Sequence, residues 1–140
     1  FSIVTTTYNS VATVRNTVES VAAQVFDGDI EYIVVDGGST DGTLELLAHY
    51  TDVVDILVSE PDNGLYDAMN KGIQLATGDV VGILNSDDFY TSDDVLATIA
   101  AEFERKNVDA VFGDIHFVKP TGYFYRIVTP LYFYHVLSKK

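Results

Sequence analysis

An apolar run that ends on two carboxylates decides the fold of this chain: residues 80–88 read VVGILNSDD. The run from Val80 to Leu84 has the composition of a buried strand. Adjacent carboxylates at Asp87 and Asp88 would lose hydration on burial and repel each other, and a divalent cation relieves both costs. Hard cations such as Mg²⁺ prefer oxygen ligands and often share one or two carboxylates with substrate phosphates. The stretch therefore predicts a buried strand that leads into a metal site for a phosphorylated ligand.

Strand and helix patterns alternate on both sides of this stretch. The 3.6-residue period and the cap residues predict four helices. They are a helix capped by Ser10, a short helix through Leu44 and Leu47, a helix that ends at Gly78 and a helix with Leu96 facing inward. This alternation predicts an α/β fold, a three-layer sandwich with a mainly parallel central sheet. The predicted strands are 1–6, 30–35, 53–59, 80–84 and 110–112, followed by a hairpin of 115–119 and 123–128.

Polar clusters follow four of the predicted strands. Thr6 and Tyr8 come after the first strand, Asp36 ends the second, 62–64 follows the third and 87–88 follows the fourth. Ligands of parallel α/β sheets bind beyond the carboxyl ends of the strands. Four clusters at one edge therefore indicate a binding site more strongly than any one of them alone.

Each cluster also has a purely structural interpretation. Asp36 could accept hydrogen bonds from a nucleobase or ribose, or it could help to cap the next helix, since Asp is a favoured cap. Tyr8 could stack on a base, although an aromatic residue after a strand more often packs against its neighbours. Asp87 and Asp88 could be a solvated acidic turn.

Composition narrows the class of protein. The chain has 140 residues, of which 47% are hydrophobic, so it suits one domain with its own core. It has no cysteine, hence neither a disulfide framework nor a Cys-based zinc site. The formal net charge of −13 repels the backbone of nucleic acids, and it makes a bound diphosphate costly unless a cation accompanies it. No apolar run approaches the roughly 20 residues of a membrane span, and the start shows no signal-peptide pattern. The chain opens at Phe1 without an initiator Met, which suggests a trimmed or processed N-terminus.

The chain resembles the family 2 inverting glycosyltransferases, which have a nucleotide-diphospho-sugar transferase (Rossmann-like) fold. The resemblance runs from Phe1 to about Gly113, and its segments agree with the family in order, spacing and placement at strand ends. The segment DNGLYDAMNKG is further similar to enzymes that assemble bacterial surface polysaccharides. The matching segments are FSIVTTTYN, IEYIVVDGGSTDGT, SEPDNGLYDAMNKGI, TGDVVGILNSDD and DAVFGD.

The resemblance implies roles for particular residues. Thr6 and Tyr8 would line the nucleotide pocket, and Asp36 would recognise the base. Asp88 would bind Mg²⁺ or Mn²⁺, with Asp87 near the ribose or the metal. The implied partners are a nucleotide-diphospho-sugar donor and a saccharide or lipid-linked saccharide acceptor. The implied location is the cytoplasm, with peripheral association at the inner face of the membrane as a further expectation.

The chain departs from the family at its C-terminal end. The family's catalytic base is a carboxylate beyond the metal motif, and no matching Glu-Asp or Gln-x-x-Arg-Trp pattern follows here. Asp114, His116 and His135 are the later candidates, none of them in a family motif, so the catalytic residue stays unassigned. Residues 1–140 are therefore interpreted as a nucleotide-sugar-binding domain that lacks its acceptor-binding part.

Two other functions are consistent with the same fold. A nucleotidyltransferase would need a Gly-rich, basic phosphate loop after the first strand, and TTTYNS is neither. The second alternative is a non-catalytic, metal-free module that binds donor or serves as a scaffold. A titration with UDP and Mn²⁺ separates this module from the enzyme.

Overall fold

The computed structural model describes residues 1–106, 108–118, 124–128 and 137–139. Four parallel strands stand side by side in the order β3-β2-β1-β4. The first strand, β1, is central, and all six of its residues are buried. The parallel strands are β1 (Ser2–Thr7), β2 (Glu31–Asp36), β3 (Ile56–Ser59) and β4 (Val80–Ile83).

Helices cover both faces of the sheet, which confirms the predicted three-layer α/β architecture. One buried cluster joins Ile3 and Tyr32 of the sheet to helical residues such as Val18 and Leu96. The cluster on the opposite face joins Val4 to Ala68 and other residues. The helices are α1 (Val14–Ala22), α2 (Thr43–Leu47, followed by a 3-10 turn at Ala48–Tyr50), α3 (Leu65–Leu75) and α4 (Val95–Lys106).

The C-terminal part adds two short strands to this sheet and forms a separate two-stranded hairpin. The strand β5 (Ala110–Val111) is one residue shorter than predicted. The predicted hairpin is present as β6 (Ile115–Val118) paired with β7 (Phe124–Val128), and its turn lies outside the described residues. A last strand, β8 (Leu137–Lys139), was not predicted, and it pairs antiparallel with both β4 and β5.

Two predicted helix ends are wrong in detail. The helix α1 begins at Val14 rather than after Ser10, because the backbone of Thr13 is not helical, with φ of −123°. The Ser10 carbonyl accepts the N–H groups of Thr13 and Val14 in the turn that leads into the helix. Gly78 does not end α3 in a left-handed conformation, since α3 already ends at Leu75. Gly78 instead lies against the first residues of β1, where an added Cβ would be 2.8 Å from the carbonyl carbon of Phe1.

The helix α3 lies unusually close to the centre of the sheet. An added Cβ at Gly72 would be 2.2 Å from Cγ1 of Val4, so only glycine allows this approach. The contact holds the C-terminal half of α3 against β1. Among the described residues, no helix is long and apolar enough to cross a membrane.

Candidate functional site

A cavity of about 880 Å³ opens at the carboxyl ends of the four parallel strands. We call it the strand-edge cavity. It brings together the polar clusters that the sequence places after separate strands. Its walls come from the end of β1, the start of α3 and the loops after β1, β2, β3 and β4: Thr6, Thr7, Tyr8, Ser10, Gly37, Pro61, Asp62, Gly64, Leu65, Ala68, Asn85, Ser86 and Asp87.

Tyr8 stands on one wall of this cavity with 64% of its surface exposed. Its neighbour Asn9 adopts a left-handed conformation, with φ of 50°. The N–H of Asn9 donates to the Ser39 hydroxyl at 2.7 Å, and Asn9 Oδ1 accepts the N–H of Thr40 at 2.9 Å. The loops after β1 and β2 are thereby tied together. Tyr8 is therefore an exposed ring on a fixed loop rather than a packed core residue.

Asp41 strengthens the same junction. Its carboxylate accepts the N–H of Val11 at 3.0 Å and the N–H of Thr43 at 3.0 Å. The Thr43 hydroxyl donates to it as well, and this hydrogen bond is the main cause that holds the pKa of Asp41 below its ordinary value. Asp41 thus joins the loop after Tyr8 to the start of α2.

Asp36 ends β2 as predicted, but it is completely buried. Its Oδ2 accepts the N–H groups of Gly38 and Ser39 at 3.0 and 2.9 Å and the Ser59 hydroxyl at 2.7 Å. Its Oδ1 accepts the Ser39 hydroxyl. A contact between Asp36 and a base stays a prediction. What the structure shows is a carboxylate that organises the loop after β2.

The end of β1 presents two hydroxyl groups to the cavity wall. Thr6 is nearly buried, and its hydroxyl donates to Asn85 Oδ1 at 3.3 Å, which links β1 to the loop after β4. Thr7 is 5% exposed, and within the described residues its hydroxyl has no hydrogen-bond partner. A buried unsatisfied hydroxyl costs about 1–3 kcal/mol. Thr7 was missed in the sequence, because three consecutive threonines do not reveal which one lacks a partner.

The loop before α3 presents a further carboxylate, Asp62. Its Oδ1 accepts the N–H of Gly64 at 2.8 Å. The same loop is held to α3 by the N–H of Asn63, which donates to Asp67 at 3.0 Å, and this bond is the main cause that lowers the pKa of Asp67. The sequence placed 62–64 among the polar clusters that follow the strands, but nothing in it showed that Asp62 would lie against the loop after β2.

Asp87 and Asp88 form the other end of the site. Asp87 is exposed and lines the strand-edge cavity, whereas Asp88 is half-buried. The backbone of Asp88 is held from two sides: its N–H donates to the Asn85 carbonyl at 3.0 Å, and its carbonyl accepts the Thr17 hydroxyl at 2.7 Å. The turn is therefore fixed by neighbouring elements and is not simply a solvated acidic loop.

The donor set of this turn suits a hard cation. Two carboxylates and the Asn85 amide oxygen are oxygen donors of the type that Mg²⁺ and Mn²⁺ accept. Within the described residues, no group of three or more His, Asp or Glu side chains could hold a metal ion by itself. A cation at Asp87 and Asp88 would therefore need further ligands, which is the arrangement expected when phosphate oxygens complete its shell.

A second cavity of about 640 Å³ adjoins the aspartate turn on the other side. It lies between α4 and the C-terminal strands, and both Asp87 and Asp88 line it. The candidate bases Asp114 and His116 line it too, and both are exposed. His135 lies outside the described residues.

Comparison with known proteins gives the family of this chain. Residues 2–139 match the model of glycosyl transferase family 2, and the chain belongs to this family. It is 40% identical over 119 residues to a PGL/p-HBAD biosynthesis glycosyltransferase of Mycobacterium bovis, covering 82% of this chain and 46% of that protein. The chain spans less than half the length of the curated relatives it matches.

Solved structures support the same fold. Staphylococcus aureus TarS 1-349 in complex with UDP-GlcNAc is 28% identical, with a TM-score of 0.71 over 79% of this chain and 32% of that one. The mannosyltransferase PcManGT from Pyrobaculum calidifontis, in complex with GDP-Man and Mn²⁺, is 28% identical, with a TM-score of 0.70 over 78% of this chain and 33% of that one. The predicted nucleotide-diphospho-sugar transferase fold is confirmed by these similarities.

Proposed function

We propose that this domain binds a nucleotide-diphospho-sugar, and that the longer protein to which it belongs transfers the sugar to an acceptor hydroxyl with inversion. One observation carries the proposal: the strand-edge cavity has the exposed ring of Tyr8 on one wall and Asp87 on another. A base needs an aromatic or apolar surface to stack on, and a diphosphate needs compensating positive charge. The cavity offers the first directly and the second through a cation.

Thr6, Tyr8 and Asp87 line the strand-edge cavity, whereas Asp36 is buried at the end of β2 and Asp88 lines the adjoining cavity. Tyr8 stacks on the base, and Thr6 lines the nucleotide pocket beside it. Asp36 contributes to nucleotide binding indirectly, because it holds the loop after β2 in place. Asp88 holds Mg²⁺ or Mn²⁺, with Asp87 beside the ribose or the metal. The Mn²⁺ in the PcManGT complex supports this use of a divalent cation.

Electrostatics favour a metal-assisted site over a metal-free one. The chain carries a net charge of −13, and the site adds the carboxylates of Asp62, Asp87 and Asp88 to the surroundings of the diphosphate. Like charges around one ligand oppose its binding unless a cation is shared between them. When bound, the cation would also offset the charge that grows on the departing nucleoside diphosphate.

The acceptor half of the reaction needs groups beyond the strand-edge cavity. A general base must take the proton of the acceptor hydroxyl as it attacks the anomeric carbon. Asp114 and His116 face the adjoining cavity, but neither lies in a family motif, so we assign the base to the part of the longer protein that residues 1–140 lack. The acceptor is proposed to be a saccharide or lipid-linked saccharide of a bacterial surface polymer, handled in the cytoplasm or at the inner face of the membrane.

A panel of nucleotides and nucleotide-sugars in a thermal-shift assay, with and without Mn²⁺, tests the proposal. Ligands that bind only the folded state raise Tm in proportion to their affinity and concentration. We expect a UDP- or GDP-linked sugar to raise Tm only when Mn²⁺ is present. A rise that is identical with and without the metal would favour a metal-free binding module. The absence of any rise with every nucleotide would contradict the proposal.

A further inference from the structure

The loop after β2 and the loop after β3 meet at the wall of the strand-edge cavity, and their contact depends on a glycine. An added Cβ at Gly37 would lie 2.6 Å from Oδ2 of Asp62 and 3.4 Å from Cδ2 of Tyr8. The φ of Gly37 lies outside the left-handed region, so its backbone could accept a side chain. Glycine at this position is therefore needed for space, and that space is taken by the Asp62 carboxylate beside the Tyr8 ring.

The two oxygens of Asp62 are in different situations. Oδ1 accepts the N–H of Gly64 at 2.8 Å, which fixes the rotation of the carboxylate. Oδ2 has no hydrogen-bond donor within the described residues, and Asp62 is half-exposed at the cavity wall. Asp36 offers nothing comparable, because it is fully buried and both of its oxygens already accept hydrogen bonds. Of these two carboxylates, Asp62 is the one with an oxygen to offer to a ligand.

Two contacts with α3 hold the loop that carries Asp62. Lys71 of α3 contacts Glu60 at 2.8 Å, and this pairing raises the pKa of Lys71. The N–H of Asn63 donates to Asp67 at 3.0 Å. The carboxylate is thus presented by a loop anchored at two points, which lowers the conformational entropy lost when a ligand binds.

From this geometry we propose that Asp62 is the specificity-determining residue for the base of the donor, and that it selects uracil. The inference rests on the proposed function. A base stacked on Tyr8 would direct its edge toward Oδ2 of Asp62, which can accept one N–H. The buried Thr7 hydroxyl lines the same cavity and can donate to a carbonyl oxygen of the ligand.

Uracil matches this pair better than guanine or cytosine does. Its N3–H is a single donor flanked by two carbonyl oxygens. Guanine offers two adjacent donors, at N1 and N2, and a carboxylate would have to use both oxygens to satisfy them, whereas Oδ1 of Asp62 is already engaged. Cytosine has an acceptor at N3, which a carboxylate oxygen repels.

Calorimetric titration of UDP, CDP and GDP in the presence of Mn²⁺ tests the assignment. The parent chain should bind UDP more tightly than GDP or CDP. In Asp62→Asn, the amide oxygen keeps the bond from Gly64 and the NH₂ group replaces Oδ2. Losing a hydrogen bond to a charged acceptor should weaken the binding of UDP by at least about tenfold. CDP should then bind as well as UDP or better, because the NH₂ group can donate to N3 of cytosine.

Two further variants separate recognition from folding. Gly37→Ala leaves Asp62 in the sequence but displaces its carboxylate, so UDP affinity should fall as it does in Asp62→Asn. The matched control is Asp52→Asn, which neutralises an exposed carboxylate away from the cavity and should leave the UDP-to-CDP ratio unchanged. Thermal unfolding of each variant checks its fold, and Gly37→Ala supplies the test if Asp62→Asn does not fold.

The titrations distinguish failure of the proposed function from failure of the role of Asp62. A parent chain that binds no nucleoside diphosphate contradicts the proposed function and this inference with it. A parent chain that binds UDP, with an unchanged UDP-to-CDP ratio in Asp62→Asn, overturns the role of Asp62 and leaves the proposed function standing. GDP that binds the parent as tightly as UDP overturns the selection of uracil.

Discussion

Replacing Asp36 by alanine should destabilise the domain strongly, because the carboxylate is the acceptor around which the loop after β2 is built. Alanine would leave the N–H groups of Gly38 and Ser39 without the acceptor that they now share. An unsatisfied buried donor costs about 1–3 kcal/mol; these two N–H groups are only partly buried, so together they should cost about 2 kcal/mol, the lower end of that range for each. The free energy of unfolding of a domain is typically about 5–15 kcal/mol, so this loss is a large fraction of the total.

The assay is thermal and denaturant unfolding of Asp36→Ala beside the parent, followed by titration with UDP and Mn²⁺. For a chain of this size, the loss should lower Tm by at least about 5 °C. UDP affinity should fall as well, because the loop that positions Tyr8 is tied to Ser39. The control is Ser59→Ala, which removes one donor to Asp36 and should cost about 1 kcal/mol, the net contribution of a typical hydrogen bond.

Two results would contradict this role of Asp36. If Asp36→Ala unfolds at the same temperature as the parent yet binds UDP at least about tenfold more weakly, its carboxylate contributes mainly to ligand binding. The direct contact with a base that the sequence predicts would then be the better explanation. Unchanged stability and unchanged affinity would refute both roles.

Three further predictions concern Thr7, Asp41 and the activity of the 140-residue chain. Thr7→Val should leave Tm unchanged or raise it, because it removes a buried hydroxyl without a partner, while UDP affinity falls by about 5-fold for the loss of one ordinary hydrogen bond; a fall in Tm would show that the hydroxyl is satisfied in the folded state. Asp41→Asn should lower Tm most at neutral pH: the pKa of Asp41 is held below its ordinary value of 3.8, so the stabilisation is present above that value and is lost as the pH falls through the folded-state pKa. A Tm difference between parent and Asp41→Asn that is the same from about pH 7 to pH 3 would contradict this role. The 140-residue chain should bind donor but transfer little sugar, since a positioned general base typically contributes about 10²–10⁴-fold and no base is assigned here; robust transfer to a saccharide acceptor would implicate Asp114, His116 or His135.

The architecture was predictable because local patterns and long-range packing agree over most of the chain. The apolar runs at 30–35 and 80–84 can be buried only inside a sheet covered on both faces, and the alternation with helices makes that sheet parallel. Where the pattern is weak, prediction failed. The strand β8 has three residues and takes its identity from its partners, β4 and β5, rather than from its own sequence.

The candidate site was predictable in place but not in contacts. Strand ends gave the edge of the sheet, so the clusters at Tyr8 and Asp87 were found. Whether a carboxylate faces a ligand or its own loop depends on a few hydrogen bonds that residue type does not determine, and Asp36 was open to both interpretations. The contact between Gly37 and Asp62 joins two loops from different strands, and no local pattern encodes such a contact.

The central claim, a metal-assisted site for a nucleoside diphosphate at the aspartate turn, is tested most directly by titrating UDP into the parent chain and into Asp88→Asn, each with Mn²⁺ and with a chelator. Mn²⁺ should strengthen UDP binding to the parent. Loss of a direct ligand should remove at least about tenfold of that enhancement in Asp88→Asn, since even indirect supporting groups are worth about 10–100-fold in metal affinity. The unfolding temperature without ligand should stay close to that of the parent, and Asp52→Asn should behave as the parent does. Equal enhancement by Mn²⁺ in the parent and in Asp88→Asn would contradict the claim.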